Sequence, residues 1–255
     1  MSSEKRFGYE WNKYNKMNSN YEFQFRKWIN PLKPGDFKNK KILDAGCGMG
    51  RNSYWSLRYG AKELVAFDFD ERSVAAAKRT LSCFNNASVK FKSIYEISWQ
   101  DEFDIVFCIG VIHHLENPKK AINNLIKSVK SGGKVLIWVY GYENNEWIVK
   151  LVNPVRKIIT SKLPLWLVHF LSYFISIPLW FLVKIFKGPG LYLKQLSNFK
   201  LWHIHSIVFD QLIPKVANYW TKQEVLNLFK DFSNLKNIEI YSVNNNSWTI
   251  LGEKK

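Results

Sequence analysis

From Lys41 to Gly141 short apolar runs alternate with helix-forming segments, and this rhythm limits what the chain can fold into more than any other feature. KKILDAG reads as a buried strand, NSYWSLRYG as a helix stopped by Gly60, ELVAFDFD as a second strand and ERSVAAAKRTLSCF as a helix. VKFKSI and FDIVFCIGVI follow as strands, NPKKAINNLIKSVKSGG as a helix ending at paired glycines, and KVLIWVYG as a fifth strand. Parallel strands need crossovers long enough to hold a helix, so this alternation predicts an α/β doubly wound sheet with helices on both faces. Further on, YWTKQEVLNLFKDF supplies a helix capped by Thr221 and Glu224. NIEIYSV and SWTILGE then flank an Asn run as two antiparallel strands, which makes the sheet seven-stranded and mostly parallel.

Two stretches stand outside the rhythm. The first forty residues mix aromatics with Asn and Lys and are expected to form helices before the loop WINPLKPGDF. The second follows the fifth strand and is apolar and basic. Leu163–Val183, LPLWLVHFLSYFISIPLWFLV, carries no Lys, Arg, Asp or Glu in a chain of formal net charge +16. No acidic residue occurs from Trp147 to Phe209, where Lys150, Arg156, Lys157, Lys162, Lys184, Lys187, Lys194 and Lys200 bracket the apolar run. Three scattered cysteines do not make a disulfide framework, and the polar N-terminus lacks the apolar core of a secretory signal, so a cytoplasmic protein is expected.

ILDAGCGMGRN carries the chemistry. Gly46, Gly48 and Gly50 end a strand and open a helix, a spacing that lets backbone turn sharply and approach a ligand. Asp68, at the end of the next strand, lies near the spacing at which a carboxylate accepts hydrogen bonds from a ribose. The glycines do not follow the dinucleotide GxGxxG pattern. A carboxylate at Asp44, just before the loop, suits an ammonium or sulfonium better than a pyrophosphate.

LDAGCGMGRN, VAFDFD, FDIVFCIGVIHHLENP and VKSGGKVLIWVYG, in this order, resemble the motifs of class I S-adenosylmethionine-dependent methyltransferases of the type 11 kind. The resemblance implies a Rossmann-like sheet and S-adenosyl-L-methionine as cofactor. Asp44, Gly46, Gly48 and Gly50 would surround its methionine part, Asp68 would hold the ribose, and Phe69 would flank the adenine. Gly110 would lie near the reactive methyl group. The family's acidic residue after the third strand is missing; KSIYEI stands there, which leaves Ser93 and Ile94 as the adenine contacts. The division expected is 1–39 as N-terminal lid helices, 40–141 and 210–255 as the cofactor domain, and 142–209 as a helical apolar insertion after the fifth strand. Tyr9, Trp11 and Tyr14 are lid candidates.

His113, His114 and Tyr140 are the catalytic candidates, because the end of the fourth strand faces the methyl group in proteins this one resembles. A histidine titrates near working pH and suits a general base, although the second one is equally read as capping the next helix. His203, His205 and Asp210 are alternatives, and no metal site is recognisable. The insertion is long enough to span a bilayer, but the strands before and after it must share one sheet, so one crossing is excluded. An interfacial foot, a hairpin broken near Pro178 or a cap over the pocket remain. The expected acceptor is therefore a small, hydrophobic or lipid-linked molecule such as a quinone, isoprenoid, lipid or lipid-borne sugar, with an anionic membrane surface at the inner face as a partner. A soluble metabolite or glycan under a lid is the alternative; nucleic acid is not expected, and a non-catalytic cofactor-binding protein ranks lower.

Overall fold

The computed structural model describes residues 3–14, 16–186 and 191–255, so Lys187 lies outside the described residues. Two helices precede the sheet, α1 (Ser3–Lys13) and α2 (Asn20–Trp28). Then come β1 (Lys41–Ala45), α3 (Arg51–Arg58), β2 (Glu63–Asp68), α4 (Glu71–Thr80), β3 (Ala87–Phe91), β4 (Phe103–Ile109), α5 (Pro118–Ser128) and β5 (Val129–Tyr140). An irregular helical run over 148–160 contains α6 (Asn153–Val155) between two π-turns, and leads to α7 (Leu165–Phe186), α8 (Leu191–Leu196) and α9 (Leu201–Leu212). The chain returns through α10 (Lys222–Lys230), β6 (Leu235–Val243) and β7 (Ser247–Lys254).

The strand order is 3-2-1-4-5-7-6, with β7 antiparallel to both neighbours. Strand order reverses between β1 and β4, which opens a crevice at the carboxyl ends of these strands. The expected seven-stranded sheet is present, and Thr221 and Glu224 form their capping box. One boundary differs from the sequence reading. The helix α5 stops at Ser128, and Val129–Gly133 begin β5 instead of ending the helix. Val129 is β-branched and extended, and a side chain at Gly133 would meet the Asp104 carbonyl oxygen at 2.9 Å, so glycine permits close approach of β4 there.

One sheet face packs on α5 and α10 through Val106, Ile122, Leu125, Ile137, Val225 and Phe229; the other packs on α2 and α3 through Phe25, Ile42, Leu57 and Phe107. A separate apolar cluster joins α1 to the insertion, with Tyr14, Val168, Val183, Leu196, Ile204 and Phe209 at its centre. Arg6, buried at 3% exposure, ties this unit together. Its guanidinium donates to the carbonyl oxygens of Ile213 at 2.6 Å, Thr160 at 2.8 Å and Leu163 at 3.3 Å.

α7 is one continuous helix through Pro178, not a broken hairpin. Pro178 is exposed, so the hydrogen bond it cannot donate is missing on the outer side of the helix. The buried face runs through Leu165, Val168, His169, Ser172, Ser176 and Val183 and packs on α9. By length and composition the helix is apolar enough to cross a membrane, yet β5 before it and β7 after it pair in one sheet. The opposite face leaves Trp166, Phe170, Phe174, Phe181 and Ile185 uncovered at 53% to 68% exposure.

Candidate cofactor and acceptor site

The glycine loop leaves β1 with Gly46 at φ 76°, Gly48 at φ 53° and Gly50 at φ 82°, all in the region that only glycine enters without strain. Two of these positions are also crowded. A Cβ on Gly46 would lie 2.4 Å from Val111 Cγ2, and one on Gly48 would lie 2.9 Å from the Trp11 ring. The loop after β4 and helix α1 therefore both press on the loop.

Two carboxyl groups face it. Asp44 is 1% exposed and accepts a hydrogen bond from Ser53 Oγ at 2.6 Å. Burial pushes its pKa up to about 7, opposed by the Ser53 bond. Asp68 accepts from the backbone N–H of Gly48 and of Asp70, each at 3.0 Å, while burial raises it to about 6. Asp44 is buried and Asp68 half-buried, and their negative charge favours a ligand bearing sulfonium and ammonium charge. This donor set fits S-adenosylmethionine. The cofactor supplies an electrophilic methyl group on sulfur; the protein supplies carboxylates, a flexible backbone and an aromatic flank.

Phe69 is 42% exposed and stacks on Phe91, with ring centres 5.7 Å apart. Ile94 lies in the core with Phe67, and Ser93 Oγ accepts from the Tyr95 N–H at 3.2 Å. Phe91 was not singled out from the sequence, although an aromatic at the end of β3, paired in register with Asp68, is its visible signal. Gly110 has φ 80° and open space on its Cβ side apart from Trp138.

The second half of the site begins where β4 ends. His113 is fully buried, neither ring nitrogen has a partner, and its ring centre lies 3.9 Å from that of Tyr140. His114 donates from Nδ1 to the Val216 carbonyl oxygen at 2.7 Å. Burial holds His113 well below the ordinary histidine range and His114 at about 3, so both rings are neutral near pH 7 and have lost basicity. His114 does not cap α5; the cap is Asn117, whose side chain accepts from the Lys120 N–H at 3.1 Å.

Tyr140 Oη donates to Asp210 Oδ2 at 2.9 Å and accepts from Gln211 Nε2 at 3.1 Å. Tyr219 completes this chain by donating to Gln211 Oε1 at 2.8 Å. Across from Asp210, Glu10 is 1% exposed and accepts from Ser206 Oγ at 3.1 Å, while its Oε2 has no partner. Burial raises the pKa of Glu10 well above the carboxylate range, and Asp210 adds to that rise; Asp210 is itself raised by burial. Glu10 escaped the sequence reading because nothing local marks it. Tyr9, Trp11 and Tyr14 were legible, and Tyr14 lies against His169 and Trp202. His203 and His205 are buried in α9, away from the Tyr140 hydrogen bonds, with His203 stacked on Phe199. A cleft of about 450 Å³, lined by Tyr142, Asn153, Asn218 and Tyr219 among others, borders this half of the site.

Residues 43–137 match the family model described as a methyltransferase domain. Among curated proteins, the chain is 34% identical over 124 residues to a tRNA U34 carboxymethyltransferase of Campylobacter hominis, covering 46% of this chain and 42% of that protein. It is 28% identical over 142 residues to a ubiquinone biosynthesis O-methyltransferase of Idiomarina loihiensis, covering 51% and 58%. The chain thus spans about half the length of these relatives. Among solved structures, magnesium protoporphyrin IX methyltransferase from Synechocystis with bound SAH aligns at TM-score 0.54 and 13% identity over 99% of this chain and 86% of that one. A methyltransferase complexed with the Trm112 activator of Haloferax volcanii aligns at 0.59 and 14% over 99% and 97%.

Residues 43–137 match a methyltransferase domain, and the fold is shared with solved S-adenosylmethionine-dependent methyltransferases, one of them with SAH bound. One expectation needs correction. The expectation that nucleic acid plays no part is overturned by the relatives, which include tRNA U34 carboxymethyltransferases. A net charge of +16 is itself attractive to the phosphates of a nucleic acid.

Proposed function

We propose that this chain transfers a methyl group from S-adenosylmethionine to a hydrophobic or lipid-linked acceptor while resting on the cytoplasmic face of a membrane. The observation that carries this is the apolar face on the insertion. Besides the α7 residues, the 148–160 run exposes Leu151, Val155, Ile158 and Ile159 at 45% to 66%, with Trp147 beside it at 58%. Large uncovered apolar surface rimmed by Lys150, Lys157, Lys162 and Lys184, with no acidic residue, matches an element buried in the headgroup boundary of an anionic bilayer. The family match spans 43–137, so the residues assigned to the acceptor side after β5 lie outside it.

In this reading Asp44 and Gly46–Gly50 hold the methionine end of the cofactor, Asp68 its ribose, and Phe69 with Ser93 and Ile94 its adenine, while Gly110 leaves room beside the reacting carbon. His113, His114 and Tyr140 wall the acceptor side as neutral groups that align the nucleophile and exclude water. A second reading is an RNA acceptor, favoured by the tRNA-modifying relatives and the net charge of +16.

Sedimentation with anionic and with neutral vesicles tests the membrane claim. Binding to anionic vesicles is expected at low salt and is expected to fall at least tenfold in Phe174→Glu/Phe181→Glu, whose side chains are exposed and whose change leaves the fold intact. Equal sedimentation of this variant and the parent chain, or no sedimentation at low salt, would remove the membrane from the account.

A further inference from the structure

α1 presents Phe7, Glu10, Trp11 and Tyr14 at helical spacing, and these side chains reach from the glycine loop to the insertion. Phe7 lies 4.7 Å from the His114 ring, Trp11 abuts Gly48, and Tyr14 lies 4.4 Å from Trp202. Glu10 therefore sits between the cofactor loop and α9. The Glu10 carboxyl, whose Oε2 receives no N–H or O–H donor, lies within hydrogen-bonding reach of the Asp210 carboxyl, and nearby both ring nitrogens of His113, tilted against Tyr140, are buried without a partner. Buried polar atoms left open in this way are commonly completed by a ligand.

We propose that Glu10 and Asp210 act together as the proton acceptor for a hydroxyl-bearing acceptor molecule, with Tyr140 as the positioning residue that holds Asp210. This rests on the methyltransferase reading and narrows it to O-methylation. One carboxylate of the pair takes the hydroxyl proton as the oxygen bonds the methyl carbon. The carbon–sulfur bond breaks with its electrons going to sulfur, so sulfonium and carboxylate become thioether and carboxylic acid, and the proton then leaves to solvent. An amine acceptor is disfavoured, because a carboxylate pair stabilises an ammonium, whose nitrogen has no lone pair to offer.

The groups whose charge reaches the pair are Arg51 from α3, Arg156 from the 148–160 run, and Tyr14 and Tyr21 from the N-terminal helices; Tyr140 from β5 and Ser206 from α9 bond to it directly. Burial raises the proton affinity of both carboxyls, and each lies in the field of the other, as expected of a pair that shares a proton.

The test uses the full chain in two arms. Infrared spectroscopy at pH 7, with Asp44→Asn as the common background so that the carboxyl raised to about 7 does not contribute, is expected to show a protonated carboxyl band that is lost in both Glu10→Gln and Asp210→Asn and kept in Asp104→Asn. Labelled methyl transfer to a total lipid extract is expected to fall about 100-fold or more in both pair variants, in the range of a lost general base. Calorimetric cofactor affinity should stay within threefold, and the labelled product should carry an ether methyl. Tyr140→Phe is expected to move the pH optimum while keeping the cofactor affinity. A band absent from the Asp44→Asn background or persisting in both variants, a pair variant with the parent rate and pH profile, or a labelled methylamine would overturn the proposal. If the parent chain methylates nothing, the methyltransferase reading fails, and the infrared arm still decides whether the pair holds its proton.

Discussion

At the scale of single residues, the buried carboxyls beside the glycine loop have a measurable consequence. Asp44 and Asp68 reach pKa values of about 7 and about 6 through burial, so a cationic ligand must meet them ionised. Cofactor affinity by calorimetry is therefore expected to rise from pH 5.5 to pH 8 and then level. An affinity that falls over this interval would contradict the assignment. The effect on stability has the opposite sign. A carboxyl whose pKa is higher folded than unfolded contributes its stability fully below about 4, and this contribution is lost as pH rises through about 6 to 7. These residues were legible because strand, glycines and carboxylates lie close along the chain. Glu10 and Asp210 stand 200 positions apart and meet only through the packing of α1 on α9, so no local pattern announces them. The histidines misled in another way: their position after β4 was readable, but full burial removed the basicity that made them attractive as bases.

At the scale of elements, the alternation that ordered the strands survives because the apolar runs of β1, β2, β4 and β5 are buried in the sheet, while β3 forms its half-exposed edge. Boundaries were less legible where tertiary contact decided them, as at Val129, which pairs with Phe103 instead of extending α5. The attachment of α1 to the insertion was not legible at all, since it depends on Arg6 finding three carbonyl oxygens far along the chain. Removing that guanidinium leaves buried acceptors unpaired, at a cost of about 3 kcal/mol. Arg6→Ala is expected to lower the thermal midpoint and to free Trp11 from the glycine loop, seen as increased quenching of tryptophan fluorescence. An unchanged midpoint with unchanged quenching would show that α1 is held by the apolar cluster alone.

At the scale of the whole molecule, the methyltransferase match over 43–137 is followed by a basic, apolar insertion, and the relatives' named activities leave the acceptor open between RNA and a quinone. The apolar stretch read from the sequence as foot or roof is a helix with one face packed on α9 and the other bare. Sequence periodicity could not assign these faces, because the helix is apolar all round and only its neighbours choose which side is buried. The most direct measurement of the account is transfer of labelled methyl from S-adenosylmethionine by the full chain into a lipid extract and an RNA extract of the same cells, run beside Asp68→Ala. Label in the lipid fraction, at least tenfold lower in Asp68→Ala, is the expected result; label confined to RNA, or equal labelling by both proteins, would contradict it.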